Sequence, residues 1–166
     1  AEGVDYFITC NGSNLLLGDG GYRGVVFHIC HTMDDVAYEE KGTELLVEAG
    51  AGVMLSSLAR QVSSKGYTGF EYATGIPGTL GGGVTMNAGA YGAELSQVVA
   101  QVEGIHLADG RRVSYPADRL NFSYRHSALM DTDVVVTQAT LALAPGDPEA
   151  IRARLEACAR ARRGSK

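Results

Sequence analysis

The chain has 166 residues, 45% of them hydrophobic, and a net charge of −5, a size that suits one ordinary core or two small subdomains. Lysine and arginine are scattered except near the end, which excludes the basic stripe that a phosphate-backbone partner needs, so no nucleic-acid partner is expected. No apolar run approaches the ~20 residues of a membrane span and the start lacks the basic and apolar regions of a signal peptide, so a cytoplasmic chain with no membrane partner is expected.

In chain order, Tyr6–Thr9 and Gly24–Ile29 read as short strands flanking a turn at Asn11-Gly12-Ser13-Asn14-Leu15. Coming directly off a strand end, that turn would splay its backbone N–H groups outward. Cys10, Cys30 and Cys158 form an odd set without C-x-x-C spacing, which reads as buried thiols rather than a disulfide framework or zinc site. His28, Cys30 and His31 are not read as metal ligands, because adjacent residues on a strand point to opposite faces. Glu39-Glu40-Lys41-Gly42 reads as a turn, followed by a strand over Thr43–Ala49.

From Val53 to Lys65 the residues Leu55, Leu58, Ala59 and Val62 recur at i, i+3, i+4 and i+7. That period predicts an amphipathic helix, with Gly66 as its stop. Further on, Val98–Leu107 and Arg112–Tyr115 predict a hairpin about the two-residue turn Asp109-Gly110, and Asp133–Leu143 predicts a long strand returning to the same sheet. Asp147 and Pro148 cap a last helix in the favoured manner. Its apolar stripe is Ile151, Leu155 and Cys158, and Arg160, Arg162 and Arg163 sit at its negative end.

Between the first helix and the hairpin lies Gly75-Ile76-Pro77-Gly78-Thr79-Leu80-Gly81-Gly82-Gly83, continuing through Asn87-Ala88-Gly89-Ala90-Tyr91-Gly92. A flexible linker would carry polar filler, whereas Ile76, Leu80, Val84 and Met86 want burial. The missing side chains serve either a turn between two strands with no ligand or, the reading adopted, close approach of backbone to a flat or phosphorylated ligand. Neither glycine run matches G-x-G-x-x-G after a strand, and no G-x-x-x-x-G-K-[ST] occurs, so the dinucleotide-fingerprint and P-loop readings fail.

The two runs in this order, followed by Tyr124-Arg125-His126-Ser127, resemble the UDP-N-acetylenolpyruvoylglucosamine reductases, flavoproteins that complete UDP-N-acetylmuramate for bacterial peptidoglycan. The portion Pro-Gly-Thr-x-Gly-Gly is shared with FAD-linked oxidases of the vanillyl-alcohol-oxidase type; the Asn-Ala-Gly-Ala-Tyr-Gly continuation and Tyr-Arg-x-Ser are narrower. The resemblance implies an α+β FAD-binding domain of the PCMH/vanillyl-alcohol-oxidase type, with two small α+β subdomains over residues 1–50 and 51–166 and flavin between them. It implies an NADPH-dependent reductase acting on the enolpyruvyl group of a UDP-sugar. Asn11, Gly12, Ser13, Asn14 and Leu15 would hold the pyrophosphate. Gly75, Ile76, Pro77, Gly78, Thr79, Gly81, Gly82 and Gly83 would lie against the flavin ring and ribityl chain, and Asn87, Gly89, Ala90 and Tyr91 would close the pocket.

Arg125 matches the family's catalytic arginine, with Tyr124 supporting it; a guanidinium suits the negative charge that builds on the enolpyruvyl carboxylate. The family's strand before Tyr6 is missing, as is the substrate-binding domain that would follow Lys166 and supply the proton-donating serine or cysteine. The chain is accordingly expected to be the FAD-binding portion of such an enzyme. Another FAD-linked oxidoreductase of the superfamily and a flavin-binding module without catalysis stay open beside it, as does the oligomeric state.

Overall fold

The structure, a computed structural model, describes residues 3–164, with side chains described as far as Ala161. Its main body is an antiparallel sheet in the order β3-β4-β10-β8-β9, built from Val36–Lys41, Glu44–Gly50, Val134–Pro145, Val99–His106 and Arg112–Pro116 respectively, with β5 (Tyr67–Thr68) pairing the end of β10 and with β6 (Gly89–Ala90) and β7 (Ala93–Glu94) forming a separate short hairpin. On β4, Leu45, Val47 and Ala49 alternate inward. On β10 the extra residue Thr137 shifts the register after Val136, so that Val136 and then Ala139, Leu141 and Leu143 all reach the interior. An extra residue on a bulged strand resets which face its side chains occupy.

Helix α1 (Leu55–Ser64) buries Leu55, Leu58, Ala59 and Val62, the predicted stripe, into the same core. Gly66, at φ +85°, follows its cap residue and bonds its N–H to the Ser63 carbonyl at 3.1 Å, as expected of a helix stop. The last helix, α3 (Pro148–Gly164), is capped by Asp147, whose carboxylate accepts the Ala150 N–H at 2.9 Å. Of its predicted stripe, Ile151 is buried while Leu155 and Cys158 are half-buried. The side chains of Arg162 and Arg163 lie outside the described residues.

Several expectations are corrected. Glu39, Glu40 and Lys41 belong to edge strand β3, with Lys41 opposite Glu44 and the turn confined to Gly42-Thr43; charged residues suit a solvent-facing edge. The Asp109-Gly110 turn belongs to a longer loop over residues 107–111, in which the His106 N–H bonds the Arg111 carbonyl at 2.9 Å and the Gly110 N–H closes back on the His106 carbonyl at 2.8 Å. Gly81–Gly83 form part of a short helix, α2 (Leu80–Thr85), whose Leu80 and Val84 are buried. His31 starts a 3-10 turn rather than lying on a strand, and the three cysteines are half-buried rather than buried.

A second unit stands apart from the large sheet. Strands β1 (Tyr6–Thr9) and β2 (Val25–His28) pair in parallel, Tyr6 opposite Val25 through Thr9 opposite His28. Gly24 is obligatory there, since a Cβ would stand 2.4 Å from the Asp5 carbonyl oxygen. Tyr6, Val25, Val26 and Phe27 are exposed, and among the described residues neither strand has a second neighbour. Strands β3 and β4, which precede the boundary expected at residue 50, belong to the large sheet. Among the described residues no helix is long and apolar enough to cross a membrane.

Candidate functional site

A cleft of about 860 Å³ separates the two units. One wall runs from Tyr6 along β1 to Leu15; the other is the segment from Gly75 to Ala90, joined by Arg125 and by Thr132–Val136 at the start of β10. Among the described residues, two side-chain bonds bridge the walls. The Asn11 side-chain amide donates to the Pro77 carbonyl, and Asn14 Nδ2 lies 3.1 Å from Met86 Sδ.

The second wall is pinned at one end by a bridge between Met54 and Thr79, in which the Leu55 N–H meets the Gly78 carbonyl at 3.0 Å and the Leu80 N–H meets the Val53 carbonyl at 2.8 Å. Helix α2 starts there, and its glycines divide by direction. A Cβ on Gly81 would stand 2.7 Å from Ala51 Cβ, and one on Gly83 2.9 Å from both Leu55 and Leu95, so these two permit the helix to sit on the core. A Cβ on Gly78 or Gly82 would meet nothing nearer than 3.6 or 3.9 Å, respectively. Packing does not require glycine at these positions, and a bare backbone there leaves room for a flat group.

The polar groups tell the same story. Leu15 N–H closes its turn on the Gly12 carbonyl, but among the described residues no protein acceptor meets the N–H groups of Gly12, Ser13, Asn14, Gly78, Thr79 and Gly82. The Thr79 hydroxyl is buried and likewise unpartnered. A buried hydroxyl is rarely left without a partner, and the open N–H groups along both walls, those of exposed Gly12, Ser13 and Asn14 included, suit an anion held through backbone dipoles. The residues present thus fit a ligand that combines a phosphate chain with a planar ring.

Arg125 also lines the cleft. It sits at φ +56° in a tight loop closed by mutual backbone bonds between Ser123 and His126, at 3.0 and 3.2 Å. Two buried side chains staple this loop to the end of α2: Ser127 Oγ donates to the Thr85 carbonyl at 2.7 Å, and Asn87 Nδ2 donates to the Ser123 carbonyl at 2.9 Å. Asn87 Oδ1 accepts the Ser96 N–H at 2.9 Å as well. The expectation that Asn87 faces a ligand is therefore corrected: it is 1% exposed, its amide is committed within the protein, and its φ of +45° turns the chain there.

Tyr91 is half exposed in a turn beyond the cleft, and Tyr124 is 86% exposed and does not line it. The structure brings together Asn11–Leu15, Gly75–Thr79, Gly81–Gly83, Gly89, Ala90 and Arg125. Sequence reasoning missed Thr85, Met86 and the Thr132–Val136 segment, which carry no motif, and Ser127, whose place in Tyr-Arg-x-Ser was the available signal. Behind the cradle, Tyr72 is a buried phenol without a hydrogen-bond partner. Burial, and then the Glu94 charge, push its ionisation well above the usual range, so it stays neutral and exchanges no proton at ordinary pH.

Residues 1–115 match the model of the FAD-binding domain family. The UDP-N-acetylenolpyruvoylglucosamine reductase of Clostridium novyi is 41% identical over 160 residues, which are 96% of this chain and 50% of the relative. The chain thus spans about half the length of the curated relatives it matches. The crystal structure of the UDP-N-acetylenolpyruvylglucosamine reductase from Thermus caldophilus superimposes with a TM-score of 0.78 at 33% identity, over 98% of this chain and 57% of that one. At 19% identity, 6-hydroxy-D-nicotine oxidase from Arthrobacter nicotinovorans shares the fold, with a TM-score of 0.62 over 86% of this chain and 32% of the oxidase. The cleft with its bare N–H groups, the open glycines and these matches lead to one assignment: the chain belongs to the FAD-binding domain family.

Proposed function

We propose that this chain is the FAD-binding portion of a cytoplasmic, NADPH-dependent UDP-N-acetylenolpyruvoylglucosamine reductase. The observation that carries the reading is the pair of cleft walls whose unpaired N–H groups and open glycines, Gly78 and Gly82, face each other. FAD, when bound, supplies acceptance of a hydride from NADPH and its delivery to the enolpyruvyl double bond of a UDP-sugar. The chain's own part is to bind, orient and hold charge. The N–H groups of Gly12, Ser13 and Asn14 would hold the pyrophosphate; Gly78, Thr79 and Gly82 would lie along the flavin.

Arg125, which lines the cleft from a loop stapled to α2, would hold the substrate carboxylate where negative charge develops. Its planar fork suits that group, and Ser127 and Asn87 keep it in register with the cradle. Tyr124, exposed and away from the cleft, has no part in this reading.

Titration of the purified chain with FAD, followed by visible absorption, tests the assignment. The expected result is saturation near one flavin per chain and bleaching of the bound band by NADPH. A folded chain that takes up no FAD would sink it. Arg125→Ala is expected to keep FAD uptake and, in a protein that also carries the substrate-binding domain, to lose reoxidation of the reduced flavin by the UDP-sugar. A second reading, an oxidoreductase with covalently linked flavin, is favoured by Cys10, whose free thiol lines the cleft with its Sγ 3.9 Å from where a Gly82 Cβ would stand. Flavin that stays with the denatured chain would support it; flavin released on denaturation excludes it.

A further inference from the structure

Segment Gly75–Thr79 hangs between two anchors. The forward anchor is the backbone bridge of Thr79 to Met54. The rear anchor is made of side chains. Gly75 closes a 3-10 turn that begins at Glu71, and Glu71 is 4% exposed, a position where a carboxylate is expensive unless its oxygens are satisfied. Both are: Thr68 Oγ1 donates to Glu71 Oε1 at 2.6 Å and the Gly69 N–H donates to Oε2 at 2.8 Å.

Helix α3 supplies the counter-charge. Arg154 Nη1 donates to Thr68 Oγ1 at 2.7 Å and stands 3.6 Å from Glu71 Oε1. The Thr68 hydroxyl thus accepts from the guanidinium and donates to the carboxylate, polarised in one direction. Thr68 is itself fixed to β10 opposite Ala144. The turn is stiffened by Thr74, whose hydroxyl donates to the Glu71 carbonyl, and by the Ile76 N–H on the Ala73 carbonyl at 3.0 Å. Burial first, and then the Glu71 charge, raise the ionisation of Cys158 one turn along α3.

We propose that Glu71, Thr68 and Arg154 form a positioning triad that fixes the flavin-binding segment Gly75–Thr79 from behind and makes α3, which does not line the cleft, part of the site. The proposal rests on the flavin reading above. A carboxylate held at both oxygens sets where the turn ends, and the turn sets where the unpaired N–H groups of Gly78 and Thr79 point. Loss of the charge leaves the core packing of Phe70, Tyr72 and Ala73 in place but lets the segment pivot about its forward anchor.

The test is FAD affinity by fluorescence titration of the 166-residue chain, with the visible circular dichroism of bound flavin as a signature of its setting and thermal melting of the flavin-free chain as a control for folding. Glu71→Gln is expected to melt cooperatively, bind FAD about tenfold more weakly and alter the flavin signature. Arg154→Ala is expected to weaken binding several-fold, Arg154→Lys to restore most of the loss, and the double variant to bind no worse than Glu71→Gln alone, as residues acting as one unit should. Should Glu71→Gln fail to fold, Arg154→Ala and Arg154→Lys decide the matter, since Arg154 is an exposed helical position. Affinity and signature within twofold of the unsubstituted chain in a folded Glu71→Gln or Arg154→Ala would overturn the triad. Absence of uptake by the unsubstituted chain would overturn the flavin reading and the triad with it.

Discussion

The two walls of the cleft are built in opposite ways. The Gly75–Ala90 wall rests on the core, with Leu80 and Val84 fully buried and the chain anchored at Met54 and at Glu71. The Tyr6–Leu15 wall is a two-stranded parallel ribbon that leaves Tyr6, Val25, Val26 and Phe27 in solvent, tied across the cleft by Asn11 and Asn14. A two-stranded unit is marginal by itself in water. On the proposed function, the preformed wall would set the shape of the bound ligand, and the ribbon would gain order from the ligand it helps to hold.

Core truncation should break this contrast most. Leu58→Ala, on the fully buried face of α1, is expected to cost about 2–5 kcal/mol in urea unfolding, whereas Phe27→Ala in the exposed ribbon should change global stability by less than about 0.5 kcal/mol. Equal losses would mean that the ribbon shares the core.

The two kinds of glycine on α2 give the next test. Gly81→Ala pushes a methyl against Ala51 and should destabilise by about 1–3 kcal/mol. Gly82→Ala has room for its methyl and should stabilise the flavin-free chain by up to about 1 kcal/mol through helix propensity, while weakening FAD uptake. A Gly82→Ala chain that gains stability and keeps its flavin affinity would contradict the reading of Gly82 as a bare ligand surface.

A smaller effect is expected across the cleft. Asn11→Ala removes the exposed amide bond to the Pro77 carbonyl and should speed hydrogen exchange at Val25–His28 without shifting the melting midpoint; exchange unchanged at those amides would show that the latch does not hold the ribbon. The smallest concerns Cys158, whose thiol burial and the Glu71 charge push above its ordinary value. The neutral thiol's contribution is whole below the ordinary thiol pKa and declines as pH rises from there toward the folded value. Alkylation of Cys158, followed by peptide mass, should therefore show its midpoint at a higher pH in the folded chain than in urea; coincident midpoints would refute this.

Much of the frame was legible because its signals are local. Leu55, Leu58, Ala59 and Val62 announce α1 by period alone, and Asp147-Pro148 announces α3. Helix α2 was not, since three consecutive glycines argue against a helix; what makes it one is tertiary, the Gly81 N–H on the Ala51 carbonyl and the close approach of Gly81 and Gly83 to the core. Strand β3 was hidden by Glu39, Glu40 and Lys41, whose charges read as a turn until β4 is seen on only one side of them. The cleft residues were legible as glycine runs, but which glycines face outward is a matter of direction that spacing does not carry. Asn87 stands inside the motif and yet turns its amide to the arginine loop; proximity in sequence to a cradle did not make it part of the lining.

The position of β10 has a consequence for how the protein is made. This strand is the centre of the large sheet and its last strand in sequence; the side-chain bond from Gln138 to Glu48 spans 90 residues. On a ribosome adding roughly 5–20 residues per second, the β3–β4 hairpin waits on the order of several seconds for its partner, with Leu45, Val47 and Ala49 uncovered. Any chain interrupted before Val134 would be released as two separate hairpins that lack the strand between them, with one side of each open to edge-on association.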